Sequence, residues 1–91
     1  MVRKRWTIAD TCQVVEAVIA NQGKWFTPEQ FEELAQRVDC SRGSIEPMVW
    51  RLQTVLGYPV TSDARGISAL DRAVAQLYLE HDSRLKVTKS I

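Results

Sequence analysis

Ser41-Arg42-Gly43-Ser44-Ile45-Glu46-Pro47-Met48-Val49-Trp50-Arg51-Leu52-Gln53-Thr54-Val55-Leu56 is the stretch whose reading decides the fold. Ile45, Met48, Val49, Leu52, Val55 and Leu56 recur on one face of a helix that turns by about 100° per residue. Gly57 and Pro59 close it, the first because it takes a left-handed conformation easily and the second because it has no N–H to extend the helix. Ser41 and Ser44 are both capping residues by type; Ser44 is preferred, because Pro47 then falls in the first turn, where its missing donor costs nothing. A helix over 45–56 is therefore expected. The short polar run Asp39-Cys40-Ser41-Arg42-Gly43-Ser44 in front of it reads as a tight turn after an earlier helix.

That earlier helix has a strong start signal. Thr27 serves as N-cap, Pro28 occupies the first helical position, and Gln30 stands where a capping box needs it. Phe31, Leu34, Ala35 and Val38 follow at i, i+3, i+4 and i+7, so the helix is expected over 28–38 with Glu29, Glu32, Glu33 and Gln36 toward solvent. The carboxylates sit near the positive end of the helix dipole, and no second catalytic residue type accompanies them.

Upstream, Thr7 three residues before Asp10 opens the apolar series Ile8, Cys12, Val15, Ile19, and Asn21-Gln22-Gly23 ends it, giving a helix over 8–22. Downstream, residues 57–67 form a connector without sustained period, and a fourth helix over 69–82 carries an inner arc that begins at Ala69 or Leu70 and continues through Ala73, Val74, Leu77, Tyr78 and His81. His81, placed there near the helix end, reads as a packing or capping residue rather than a base. The fold class expected is all-α, a three-helix helix-turn-helix-like unit plus a C-terminal fourth helix. Ile8, Val15, Ile19, Phe31, Leu34, Val38, Ile45, Val49, Leu52, Leu70, Val74 and Leu77 form its core. Residues 1–6 read as a basic N-terminal arm, 7–83 as a single helical domain, and 84–91 as a basic flexible tail.

Composition narrows the function. Ninety-one residues with 45% apolar content suffice for one modest core. No apolar run reaches the roughly 18 residues of a membrane span, and the polar sequence after Met1-Val-Arg-Lys-Arg does not read as a secretory signal, so the expected compartment is the cytoplasm. Cys12, Cys40 and His81 are too few for a disulfide framework or a zinc site, and both thiols are expected to stay reduced. Without a nucleophile–base pair, a phosphate-cradling glycine loop or a metal set, the chain is expected to have no catalytic activity, cofactor, metal or small-molecule substrate.

The net charge of +1 hides an uneven distribution. Acidic residues crowd the first two helices, whereas Arg3, Lys4, Arg5, Arg42 and Arg51 occupy the terminus and the third helix. Opposite the apolar face of that helix stand Glu46, Pro47, Trp50, Arg51, Gln53 and Thr54, where a recognition helix presents side chains to a DNA groove. An alternative is that Trp50 is covered by the rest of the chain.

Arg5-Trp6-Thr7 with Asp10, Gly23-Lys24-Trp25, and Ser41-Arg42-Gly43-Ser44-Ile45 with Arg51-Leu52 together resemble the tri-helical Myb/SANT-like fold. Ser41 to Leu56, followed by Ala64-Arg65-Gly66-Ile67-Ser68-Ala69-Leu70-Asp71-Arg72-Ala73-Val74, is similar to the helix-turn-helix-type segment ahead of nuclease domains in some HNH endonuclease proteins. These resemblances imply a DNA-contacting domain with Arg42, Ser44, Pro47, Trp50, Arg51 and Thr54 as outward positions of its third helix. They do not imply a nuclease, because the histidine and asparagine cluster of an HNH site is absent. Val49 also stands where the Myb pattern has a tryptophan, with Trp50 one position out of register.

The function expected is binding of double-stranded DNA, with Arg3, Lys4 and Arg5 as an arm toward a minor groove or the backbone. Five or six phosphate contacts leave a monomer weak at physiological salt, so a tight site requires a homodimer, a protein partner or a larger parent protein. The alternative is a small protein-interaction or inhibitor module, such as a phage-encoded one, using Trp50, Tyr58 and Pro59 as an apolar patch rimmed by arginine.

Overall fold

The computed structural model describes residues 5–82 and 85, and within them the chain forms four helices and no strand. These are α1 (Ile8–Ala20), α2 (Pro28–Arg37), α3 (Arg42–Leu56) and α4 (Ala69–His81). The all-α architecture with a fourth C-terminal helix is the one expected. Arg3, Lys4 and the tail beyond 82 lie outside the described residues, Leu85 excepted.

Local signals set the helix starts. Thr7 and Asp10, Thr27 and Gln30, and Ser68 and Asp71 each form a reciprocal capping box that satisfies two backbone donors. In α3 the cap is Ser41 and not Ser44: the Ser41 Oγ accepts from the Ser44 N–H at 3.2 Å, so the helix begins at Arg42. Pro47 is thereby inside the helix, where it deprives the Gly43 carbonyl of its donor. Both residues are exposed, so water reaches that carbonyl and the cost is small.

α3 is the central element, packing against α1, α2 and α4, while α1 also packs against α4. Ile45, Met48, Val49, Leu52 and Leu56 are buried along it. They meet Val14, Val15, Val18 and Ile19 of α1, Phe31, Leu34 and Ala35 of α2, and Val74 and Ala75 of α4, with Phe26 and Val38 closing the ends. Two expected core residues are exposed instead: Ile8 at 63% and Leu77 at 55%; Leu70 is half-buried. The inward face of α1 runs through Thr11, Val14, Val15 and Val18, rotated from the Ile8–Cys12 line. Burying Thr11 is cheap because its hydroxyl donates to the Thr7 carbonyl at 2.9 Å. In α4 the inner face is Asp71, Val74 and Ala75, which puts Leu77 to the side and leaves His81 exposed rather than on the buried arc.

The reason α4 turns Asp71 inward is Arg51. Expected on the outer face of α3, Arg51 instead donates from Nε to Asp71 Oδ2 at 3.2 Å, with Asp71 only 3% and Arg51 22% exposed at the side chain. The same carboxylate oxygen accepts from the Ser68 N–H at 3.2 Å, so one atom caps α4 and ties it to α3. Gln53, also expected outward, is buried, and its Nε2 donates to the Gly23 carbonyl at 3.0 Å.

The connector between α3 and α4 runs back over the second half of α3. Trp50 Nε1 donates to the Ser62 carbonyl at 2.9 Å, and Thr54 Oγ1 accepts from the Ala64 N–H at 3.1 Å while donating to the Trp50 carbonyl. Ala64 is the buried residue of this strap.

Two outcomes follow for stability. Leu52→Ala, at a fully buried position, is expected to cost about 2–5 kcal/mol in chemical denaturation, and a loss under about 1 kcal/mol contradicts the packing of α3. Arg51→Met is expected to cost about 1–3 kcal/mol because it strands the buried Asp71 carboxylate. Adding Asp71→Asn, which removes the stranded charge but keeps a capping oxygen, should return part of that loss; an unchanged melting curve for Arg51→Met contradicts the pairing.

Candidate nucleic-acid interface

Four residues, 38–41, separate α2 from α3. Val38 caps α2, and Asp39 takes a left-handed conformation at φ +57°, which its short side chain tolerates better than most. The Cys40 N–H then returns to the Ala35 carbonyl at 2.9 Å. This tight reversal brings the chain to Ser41 with the start of α3 at the surface.

Arg42, Gly43, Ser44 and Pro47 are all exposed there. The backbone N–H groups of the first turn, of which that of Ser44 is taken by Ser41, make this the positive end of the helix dipole. Arg42 is held in two ways: its Nε donates to Glu46 Oε2 at 3.0 Å, and its guanidinium lies 5.7 Å from the centre of the Phe31 ring. Both members of the ion pair are about two-fifths exposed, so the pair is screened and contributes at most about 1 kcal/mol. Ser44 keeps its hydroxyl 3.1 Å from that of Ser41.

The sequence-expected positions therefore divide. Arg42, Ser44 and Pro47 share an open surface, and Trp50, 38% exposed, continues it with its indole N–H already committed to Ser62. Thr54 is occupied by the connector and Arg51 by Asp71. Arg5 is exposed at the first described position, and Arg3 and Lys4 are outside the described residues.

Three further cations were not singled out from the sequence. Lys24, Arg65 and Arg72 are exposed and form no ion pair among the described residues. Opposed to them is the carboxylate surface of α2, Glu29, Glu32 and Glu33, of which Glu33 is paired to Arg37 at 2.9 Å.

Beside α3 lies an open groove of about 640 Å³. Trp25, 55% exposed, and Trp50 contribute its aromatic surface, Pro59 to Ser62 its rim, and Gln53 and Gly23 complete the lining. Trp25 is steadied by an edge contact with Phe31, the ring centres 5.0 Å apart. The helical period gave no reason to expect Gln53 in a groove, since it falls opposite the apolar stripe; its role depends on where the turn at Gly23 arrives.

Elsewhere, the Tyr78 phenol titrates well above its ordinary value, because burial penalises its anion and the neighbouring Glu16 and Cys12 add to the effect. It stays neutral at physiological pH. Among the described residues no cluster of three His, Cys, Asp or Glu is positioned for a metal, and no helix is long and apolar enough to cross a membrane. Comparison of the chain with protein-family models, with curated proteins and with solved structures finds no match in any of the three.

Proposed function

We propose that this chain is a DNA-binding module of the tri-helical, Myb/SANT-like kind. It lays the first half of α3 against the duplex and carries out no catalysis of its own. The observation that carries the reading is the exposed start of α3, where Arg42, Ser44 and Pro47 stand together directly after a tight turn from α2. Helix-turn-helix proteins contact base edges with the N-terminal residues of the second helix of the motif, and a helix start favours phosphate. Arg42 supplies a mobile charge for phosphate or guanine once it leaves Glu46, and Ser44 supplies a hydroxyl. Arg5, with Arg3 and Lys4, adds charge from the terminus, and the chain works in the cytoplasm. Thr54 and Arg51 act on this surface indirectly, by holding the connector and α4.

A protein-interaction module is the second reading, favoured by the exposure of Trp25 and Trp50 on one groove, since tryptophan dominates binding hot spots.

Fluorescence anisotropy with random-sequence duplex DNA separates the two. Binding is expected at about 50 mM salt and should weaken strongly by about 200 mM as counterion release loses its force. Arg42→Ala should lower affinity and, if it contacts phosphate, reduce the salt slope by about one. Glu46→Gln should raise affinity, because it frees Arg42 and removes a negative charge facing the phosphates. No duplex binding at about 50 mM salt, together with a partner that co-purifies after nuclease treatment, overturns the DNA reading in favour of the interaction module.

A further inference from the structure

We propose that the groove between the α1–α2 turn and α3 holds a single unpaired nucleobase of the bound DNA, an inference that rests on the DNA reading above. Its floor contains an unusual atom. Gln53 is 3% exposed, and the direction of its carboxamide is fixed because the Gly23 carbonyl requires a donor and so takes Nε2 at 3.0 Å. Oε1 takes no hydrogen bond among the described residues and is not sealed from solvent, and the residue that carries it lines the groove. A buried side chain thus offers a free acceptor from a fixed position.

The ligand must bring an N–H donor to that acceptor and an apolar face to the two indoles. Trp25 and Trp50 come from different elements, and each is pinned, the first against Phe31 and the second by its bond to Ser62. Such rings stack on any base, and the exocyclic amino group of adenine, cytosine or guanine supplies the donor. A proline-rich peptide fits worse: its prolines have no N–H for Oε1, and the Trp50 N–H that would meet its carbonyls is already used. Charge agrees with a nucleotide. Among the described residues no carboxylate lines the groove, and Lys24, which forms no ion pair among them, lies in sequence between two of its lining residues, Gly23 and Trp25. A volume of about 640 Å³ admits a base with its sugar.

The test compares three duplexes of one sequence: fully paired, with one extra unpaired adenine, and with an abasic residue in place of that adenine. The adenine-bulged duplex is expected to bind about tenfold tighter than the other two and to quench tryptophan emission, in line with the worth of one stacked base. Trp25→Ala should remove that preference while leaving affinity for the paired duplex unchanged. Since the abasic comparison uses unaltered protein, it stands even if the variant folds poorly. Equal binding of all three overturns the groove assignment and leaves the DNA reading intact. Failure of all three to bind overturns both. Quenching by a pool of blocked hexapeptides and not by the adenine-bulged duplex assigns the groove to a peptide and overturns the proposal.

Discussion

Gly23 has no room for a side chain, and much of the surface depends on that. Its φ of +74° reverses the chain after α1, a conformation that costs a glycine little. The Tyr58 ring packs directly over its Cα, in the space where a Cβ would stand. Its carbonyl takes the Gln53 carboxamide. One backbone position is thereby fastened to both the last turns of α3 and the first residue after its glycine cap. These two contacts tie the α1–α2 turn to α3 and to the start of the connector. From there the connector runs over Trp50 and Thr54, so the second half of the outer face of α3 is covered and the first half is open.

Electrostatics reinforces the division. The arginine nearest the middle of α3 is spent internally, as Arg51 neutralises a carboxylate that burial would otherwise make expensive. At the exposed end Arg42 is held by the Phe31 ring and by a screened i,i+4 partner, and a phosphate can replace the latter at little cost. With α2 presenting carboxylates and the whole chain carrying a net charge of +1, the proposed DNA contact has to be a local attraction rather than one of the whole molecule's field, and a single copy is expected to bind with modest affinity.

The sequence is most informative where an element is specified by its own residues. Thr7, Thr27 and Pro28 mark helix starts because a capping box is completed within four residues, and the stripes of α2 and α3 leave one choice of inner face. α1 is legible in extent and in part of its inner face, since Val15 and Ile19 are buried as expected and Ile8 is not. Apolar side chains surround it, so Ile8-Cys12 and Val14-Val18 are both acceptable inner lines until α3 and α4 choose between them. Ser41 and Ser44 pose the same kind of problem, since either oxygen can cap and the outcome depends on whether Pro47 is tolerated inside a solvated first turn. The surface of the candidate site was legible at Pro47, outward by period, and at Arg42 and Ser44 only through the resemblance; all three are exposed. It was illegible at Arg51, Gln53 and Thr54, whose partners Asp71, Gly23 and Ala64 are 10 to 30 residues away. Helical periodicity assigns such residues to solvent because it has no knowledge of what returns to meet them.

On the proposed reading DNA meets the start of α3 and not some other surface. Following backbone amide shifts by NMR while duplex DNA is added at low salt addresses it residue by residue. The first and largest changes are expected on Arg42, Gly43 and Ser44, with the Trp50 indole N–H moving less because Ser62 holds it. Changes confined to the exposed faces of α2 or α4, or an unaltered spectrum, contradict it.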